Sequence, residues 1–241
     1  MPDCYKAEWE ANADWLRFAF HAKQEFPDYP YINARYEDIY TDYTTIHNEV
    51  TRFAGEACWS NSFVMHWGAI SKAGCKALKD CGVKFISPHV GEKRPYTGDP
   101  SVLPYGHAAR LLQNRQPEAG LFTRNTANKA IRSSITSYNF LPQHVFDEQL
   151  KGRNASVLDE ETGLRFRTFG GGPCLNLYDQ DGIREKLAVL NGQEFIGVAV
   201  HEQYFYPDYY NYIPDYAERV HLMAQLLHNY GYRFITTDEM K

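Results

Sequence analysis

Short apolar runs that end near a histidine, most of them followed by a helical pattern, are the feature that most narrows what this chain can fold into. Trp15-Leu-Arg-Phe-Ala-Phe20 reads as a strand, and His21 follows it at once. Ser62-Phe-Val-Met65 leads into His66, and Val83-Lys-Phe-Ile-Ser87 precedes Pro88 and His89. Residues 195–200 repeat the arrangement before His201. Between the first two runs, Tyr36, Ile39, Tyr43, Ile46, Val50 and Phe53 recur at intervals of three and four, predicting an amphipathic helix over 34–54 that Gly55 closes. Ser71 is placed to cap a second helix through Leu78, with Gly82 ending it. Strands alternating with helices of this length predict a parallel sheet or barrel with the helices outside.

The rest of the chain adds further elements. Residues 3–12 read as a helix, as do 181–190, which Asn191-Gly192 terminates, and 215–230, which Gly231 ends. Residues 233–236 read as a last strand. The stretch 91–176, rich in Gly, Pro and Asn, offers only a short helix at 107–113 and a strand or hairpin over 164–177. The Gly170-Gly-Gly172 run lacks the lysine of a phosphate loop and the dinucleotide fingerprint, so it reads as a turn. At 241 residues, one barrel-sized domain spanning 1–241, with 91–176 as an insertion, is the simplest organisation.

Composition excludes several classes. A net charge of −5 argues against a duplex nucleic-acid binder, which needs Lys and Arg massed on one face. The longest apolar runs, such as Ile196-Gly-Val-Ala-Val200, are far too short to cross a bilayer, so no membrane partner is expected. The start Met-Pro-Asp-Cys-Tyr-Lys is not a secretory leader, which makes the cytoplasm the expected compartment. Five cysteines without CxxC spacing read as buried or idle thiols.

In parallel α/β folds the active site assembles at the C-terminal edge of the strands. Imidazole is both the commonest metal ligand and the commonest acid or base near neutral pH. Any one of these histidines taken singly is a rim residue bonded to backbone; taken together, His21, His66 and His201 predict a shared site. His89, displaced into a proline-containing loop, keeps the plainer reading. His47, His221 and His228 fall inside helices, and His107 and His144 have no strand to anchor them, so none of these has an assigned role. Glu202 follows His201, and the run 203–212, with Tyr204, forms an aromatic loop at the same edge as Tyr29 and Tyr31. An aromatic wall with sparse polar groups suits a sugar ring or a cyclic amide, and equally a packed loop over a barrel mouth.

Three segments resemble the polysaccharide deacetylases, the NodB-type carbohydrate esterases. Residues 15–21 resemble the motif in which a strand ends in a metal-binding histidine. Val64-Met-His-Trp-Gly-Ala69, with Cys75-Lys-Ala-Leu-Lys-Asp-Cys-Gly-Val83 behind it, resembles the aromatic-Gly turn that leads into a helix. Residues 196–201, with Tyr230-Gly-Tyr-Arg-Phe-Ile-Thr-Thr-Asp-Glu239, resemble the closing motif and its final strand. Three features depart from the pattern, the first being that Val64-Met-His66 stands where the family carries an arginine and a proline before the aromatic-Gly turn. The chain opens on a helix where the family carries a strand ending in paired aspartates, and position 25 is Glu where the second histidine should stand.

The resemblance implies an irregular (β/α) barrel, its first strand in question, and an open edge there would invite association into a homo-oligomer. It implies a divalent metal, zinc first, held by His21, with His201 as general acid. His66 as a ligand is read from its position. Glu25, Asp28 and Glu202 are the carboxylates able to replace the missing aspartate, and Trp67, Tyr29, Tyr31 and Tyr204 are the candidate substrate contacts. The chemistry would be hydrolysis of a non-peptide carbon–nitrogen bond in an N-acyl sugar or small amide. The alternative is a non-catalytic carbohydrate-binding relative with an aromatic cleft. A glycosidase would need two facing carboxylates, and the sequence offers no clear pair.

Overall fold

The apolar stripe between residues 34 and 54 forms one long helix, Tyr36–Ala54, with Ile39 and Tyr43 on its buried side. Asp38 starts it by accepting from the Arg35 backbone N–H at 3.1 Å and from the Arg35 guanidinium at 2.8 Å. That guanidinium holds the Asp38 carboxyl below its ordinary range. Gly55 stops the helix at φ +87°, a conformation that side-chain-bearing residues rarely adopt.

In this computed structural model, residues 1–24, 31, 34–64, 66, 70–87, 156–167 and 172–240 are described. The chain divides into two compact units. The first comprises Met1–Lys151, Ala155–Arg167 and Thr236–Lys241, and the second Gly152–Asn154 and Thr168–Ile235. The expected helix at 107–113 lies outside the described residues.

The first unit is α/β. A 3₁₀ turn, Asp3–Tyr5, runs into α1 (Lys6–Ala11). Strand β1 (Phe18–Phe20) follows, then α2 (Tyr36–Ala54), β2 (Trp59–Val64), α3 (Lys72–Asp80), β3 (Phe85–Ser87), β4 (Ser156–Leu158) and β5 (Arg165–Arg167). The sheet order is β1-β2-β3-β5-β4. Strands β1, β2, β3 and β5 are parallel, and β4 alone is antiparallel, paired with β5. The strand or hairpin expected over 164–177 is met by β5, whose hairpin partner β4 lies upstream, the turn between them held by Asp159, which accepts from the Thr162 N–H at 3.1 Å.

Parallel neighbours need a crossover, because a two-residue turn cannot reverse the chain twice. Here α2 and α3 supply the crossovers β1–β2 and β2–β3. Their apolar faces meet the sheet in a core that includes Phe20, Ile39, Tyr43, Trp59, Ile70, Leu78, Ile86 and Phe166. Trp59 Nε1 donates to Tyr43 Oη at 3.0 Å inside it, so the buried indole keeps a hydrogen bond. Ser71 caps α3, accepting from the Gly74 N–H at 2.9 Å and donating to Ala34 O at 2.5 Å.

The second unit packs α4 (Gln180–Leu190) against α5 (Tyr216–Asn229), with Leu175, Ile183, Leu187, Tyr204, Tyr216, Met223 and Leu227 buried between and around them. Asp179 caps α4 through the Gly182 N–H at 2.8 Å. Two expected strands do not form. In 195–200 only Ala199 makes a bridge, parallel to Cys174, and no ladder extends from it. Residues 233–236 are not a strand either. Gly231, at φ +84°, turns the chain out of α5, and Phe234 stays 69% exposed. Tyr232, just before that segment, ties down a turn, accepting from the Gly192 N–H at 3.0 Å and donating to Gln193 O at 2.7 Å. An apolar run becomes a strand only where a neighbour can accept its backbone groups.

Among the described residues no helix is long and apolar enough to cross a membrane.

Gly74 of α3 lies against Ile39 of α2. A Cβ there would stand 2.8 Å from Ile70 Cγ1 and 3.0 Å from Ile39 Cγ1. Alanine is the better helix former by about 1 kcal/mol, but overpacking typically costs about 1–3 kcal/mol. Gly74→Ala should therefore lower the urea midpoint at unchanged m-value. A raised midpoint would mean that α2 and α3 can part without loss.

Candidate functional site

The register of the first strand pair builds the site. Phe20 is the partner of Phe63, so one residue further on His21 stands beside Val64 at the C-terminal edge of both strands. His21 Nδ1 lies 2.6 Å from Val64 O. A carbonyl oxygen only accepts, so Nδ1 carries the hydrogen, and in the neutral ring Nε2 is left with its lone pair. His66, two residues beyond β2, brings its Nδ1 to 2.8 Å from that Nε2. The rings are perpendicular, with centroids 4.6 Å apart. His66 is buried at 5% exposure, whereas His21 is open to solvent.

Two chemistries suit this arrangement. The imidazoles can share a proton, or both nitrogens can turn their lone pairs on one cation. A histidine that donates its other ring N–H to a backbone carbonyl is the usual arrangement behind a metal ligand, because it fixes the tautomer and the ring plane. Among the described residues no group of three or more His, Cys, Asp or Glu stands ready to hold a metal. Glu25 and Asp28, the carboxylates next along the chain from His21, lie outside the described residues, as do Tyr29, Trp67, His89, His107 and His144.

Tyr31 is placed in the core of the first unit at 4% exposure, its ring 5.9 Å from Phe20. Its hydroxyl accepts from the Lys23 N–H at 3.0 Å and donates to Asp42 Oδ2 at 3.2 Å. Lys23 Nζ lies 3.3 Å from the other Asp42 oxygen. Tyr31 thus ties the chain just past His21 to α2. Burial, with the Asp42 charge adding to it, pushes the phenol far above its ordinary range.

One residue at this edge escaped the sequence reading. Arg167 ends β5 and is buried at 6% exposure, one of few buried charged side chains among the described residues. Arg165 and Arg167 alternate with Phe166 as in any half-exposed strand, so the pattern alone carried no sign that one arginine would be enclosed.

His201 and Glu202 belong to the second unit. Glu202 opens a 3₁₀ turn, Glu202–Phe205, and is exposed. The His201 N–H donates to Tyr216 Oη at 3.1 Å, and His201 Nδ1 lies 3.3 Å from Asn176 Oδ1 and 3.5 Å from Cys174 Sγ. Tyr204 is buried at 7% exposure, edge-on to Tyr209 at 5.5 Å. Of the histidines without an assigned role, His47 pairs with Glu56 at 3.2 Å, and His221 and His228 lie on α5.

A separate cavity of about 440 Å³ is lined by Tyr5, Glu8, Trp9, Asn12, Trp15 and Leu16. Trp15 is 66% exposed, and its indole N–H donates to Asn12 Oδ1 at 2.9 Å. No protein-family model matches the chain, and no curated protein or solved structure matches it either.

The buried phenol sets an alkaline limit on stability. The Tyr31 pKa is raised on folding, so as pH climbs past about 10 the unfolded chain loses its proton first. The stability that Tyr31 contributes is full below that pH and drains away as the folded value is approached. Denaturant midpoints measured upward from pH 9 should fall, and Tyr31→Phe should make the fall shallower. Tyr43, raised mainly by burial, and Tyr36, raised to about 12 mainly by its bond to Asp80, keep some slope in the variant. An identical slope in both proteins would show that Tyr31 ionises freely.

Proposed function

We propose that the first unit carries a metal-dependent hydrolytic site at the edge of β1 and β2, acting as a deacetylase or amidohydrolase on an N-acyl sugar or small amide. The observation that carries this reading is the convergence of His21 Nε2 and His66 Nδ1 at 2.8 Å, with Val64 O fixing the His21 tautomer. Two nitrogens on one tetrahedral ion at about 2.0–2.1 Å stand about 3.3 Å apart, so the rings would part slightly to admit the ion in place of their hydrogen bond, and imidazole donors suit zinc among the divalent metals. When bound, such a cation supplies Lewis-acid polarisation of an acyl carbonyl and a lowered pKa for water.

The chain's own residues do the rest. His21 and His66 would hold the ion, and the Val64 carbonyl keeps the His21 ring in the required tautomer. A carboxylate must take the proton of the attacking water, and Glu25 and Asp28, just past His21 in sequence, are the proposed bases. The irregular (β/α) barrel of the deacetylases is the finer architecture proposed, with β1, β2, β3 and β5 among its strands. The proton donor implied by the resemblance, His201, with Glu202 beside it, has its own partners in the second unit.

A carbohydrate-binding protein without catalysis is the second reading, favoured by the cavity between Tyr5, Trp9 and Trp15. Its volume falls within the range of small-molecule sites, and exposed indole and phenol faces suit sugar rings.

Elemental analysis after zinc loading and dialysis separates the two. The hydrolase reading expects about one zinc per chain and acetate released from N-acetylated sugars. His21→Gln, a change at an exposed side chain, should weaken zinc at least about tenfold with the thermal midpoint nearly unchanged. His66→Ala should do the same while also lowering stability, because it empties a buried position. A wild-type chain that retains no zinc yet binds oligosaccharide, with binding lost in Trp15→Ala, would replace the first reading by the second.

A further inference from the structure

We propose that Cys174, His201 and Asn176 form a nucleophilic thiol site in the second unit, which accepts acyl groups from activated esters or thioesters. Cys174 Sγ lies 3.5 Å from His201 Nδ1, within hydrogen-bond reach for sulfur, and 2.8 Å from Asn176 Oδ1. A thiol and an imidazole at this separation, with a third polar group orienting them, is the arrangement that activates a cysteine.

The backbone builds this cluster. Leu175 N donates to Ala199 O, and Ala199 N donates to Pro173 O, both at 3.0 Å, so the parallel bridge locks Cys174 against Ala199. His201 comes two residues after Ala199, and its backbone N–H is held by Tyr216 Oη. Close approach is required here: a Cβ on Gly172 would stand 2.0 Å from Gly197 O. The strand expected at 195–200 thus survives as a single bridge, and that bridge brings sulfur and imidazole together. His201 is exposed and Cys174 half-buried, so a reagent can reach the pair.

The amide accommodates both protonation states. With the thiol neutral, its S–H donates to Asn176 Oδ1. When the proton moves to His201 Nδ1, the new N–H lies 3.3 Å from the same oxygen, which exchanges one donor for another. Among the described residues, the phenols Tyr216 and Tyr204 lie beside His201, and Glu202, next in the chain, is exposed.

The other thiols differ. Burial pushes Cys58 and Cys75 up, and burial together with Asp80 pushes Cys81 up to about 11, while Cys4 is simply exposed.

In the reaction the Cys174 thiolate attacks the acyl carbon. A C–S bond forms, the bond to the leaving oxygen or sulfur breaks, and the His201 imidazolium returns its proton to the leaving group. Water then adds to the thioester carbonyl, the C–S bond breaks, and the free acid leaves with the thiol restored.

The test uses the full chain and p-nitrophenyl acetate at neutral pH, with adducts mapped by peptide mass spectrometry. A thiol of ordinary pKa is only a few per cent ionised there, and weaker nucleophilicity takes back part of the gain from ionisation. Cys174 should therefore acetylate about tenfold faster than Cys4. His201→Gln, with its fold checked by circular dichroism, should bring Cys174 to the Cys4 rate. Equal rates at Cys174 and Cys4 in the wild-type chain overturn the proposal without recourse to any variant. An unchanged Cys174 rate in a folded His201→Gln variant overturns it as well.

Discussion

The parallel pairing of β1 with β2 is the constraint on which the first unit rests. Two parallel neighbours cannot be joined by a tight turn, so the chain must travel back over the sheet, and α2 is that return path. Its buried face then has to match the sheet, which is why Ile39 and Tyr43 pack with Phe20 and Trp59 in one core. The pairing also brings the exits of the two strands to one edge. Because Phe20 pairs with Phe63, His21 meets the Val64 carbonyl, and the chain leaving β2 delivers His66 to its open nitrogen.

Polar groups at that edge are bound into the fold rather than left as ornaments. Tyr31 spans from the Lys23 amide to Asp42 on α2, so the segment leaving β1 is fastened a few residues past His21. At the opposite end of the chain, Thr237 Oγ1 lies 2.9 Å from both Ser60 Oγ and Ser62 Oγ, neighbours on one face of β2. Buried hydroxyls in an apolar sheet need such partners, since each unsatisfied one would cost about 1–3 kcal/mol. The second unit follows a simpler logic, with two amphipathic helices closing over Leu175, Tyr204 and the residues between them.

Helices were the most legible elements. The stripe of α2, the Ser71 cap, and Gly55, Gly82, Gly192 and Gly231 as stops were all readable, and each of these glycines takes a positive φ. These are local signals, set by neighbours within a turn or two of the same segment. Strands were less legible, because a strand is defined by a partner. Trp15 was read as part of β1 but lies in the turn before it, and 195–200 and 233–236 have the apolar character of strands without a ladder to join. Arg167 looked like a surface arginine and is buried.

By itself the sequence determined the α/β alternation from β1 to β3, the ends of α2, α3, α4 and α5 to within a turn, and the placing of His21 and His66 at strand exits. Only the tertiary structure decided that these two histidines meet nitrogen to nitrogen, because that depends on the register between two segments forty residues apart. It alone decided that His201 faces Cys174 and Asn176, because a single backbone bridge between Cys174 and Ala199 sets that meeting. Periodicity along a chain fixes which face of an element is apolar. Which side chains then converge is fixed by hydrogen bonds between segments, and no local pattern encodes those.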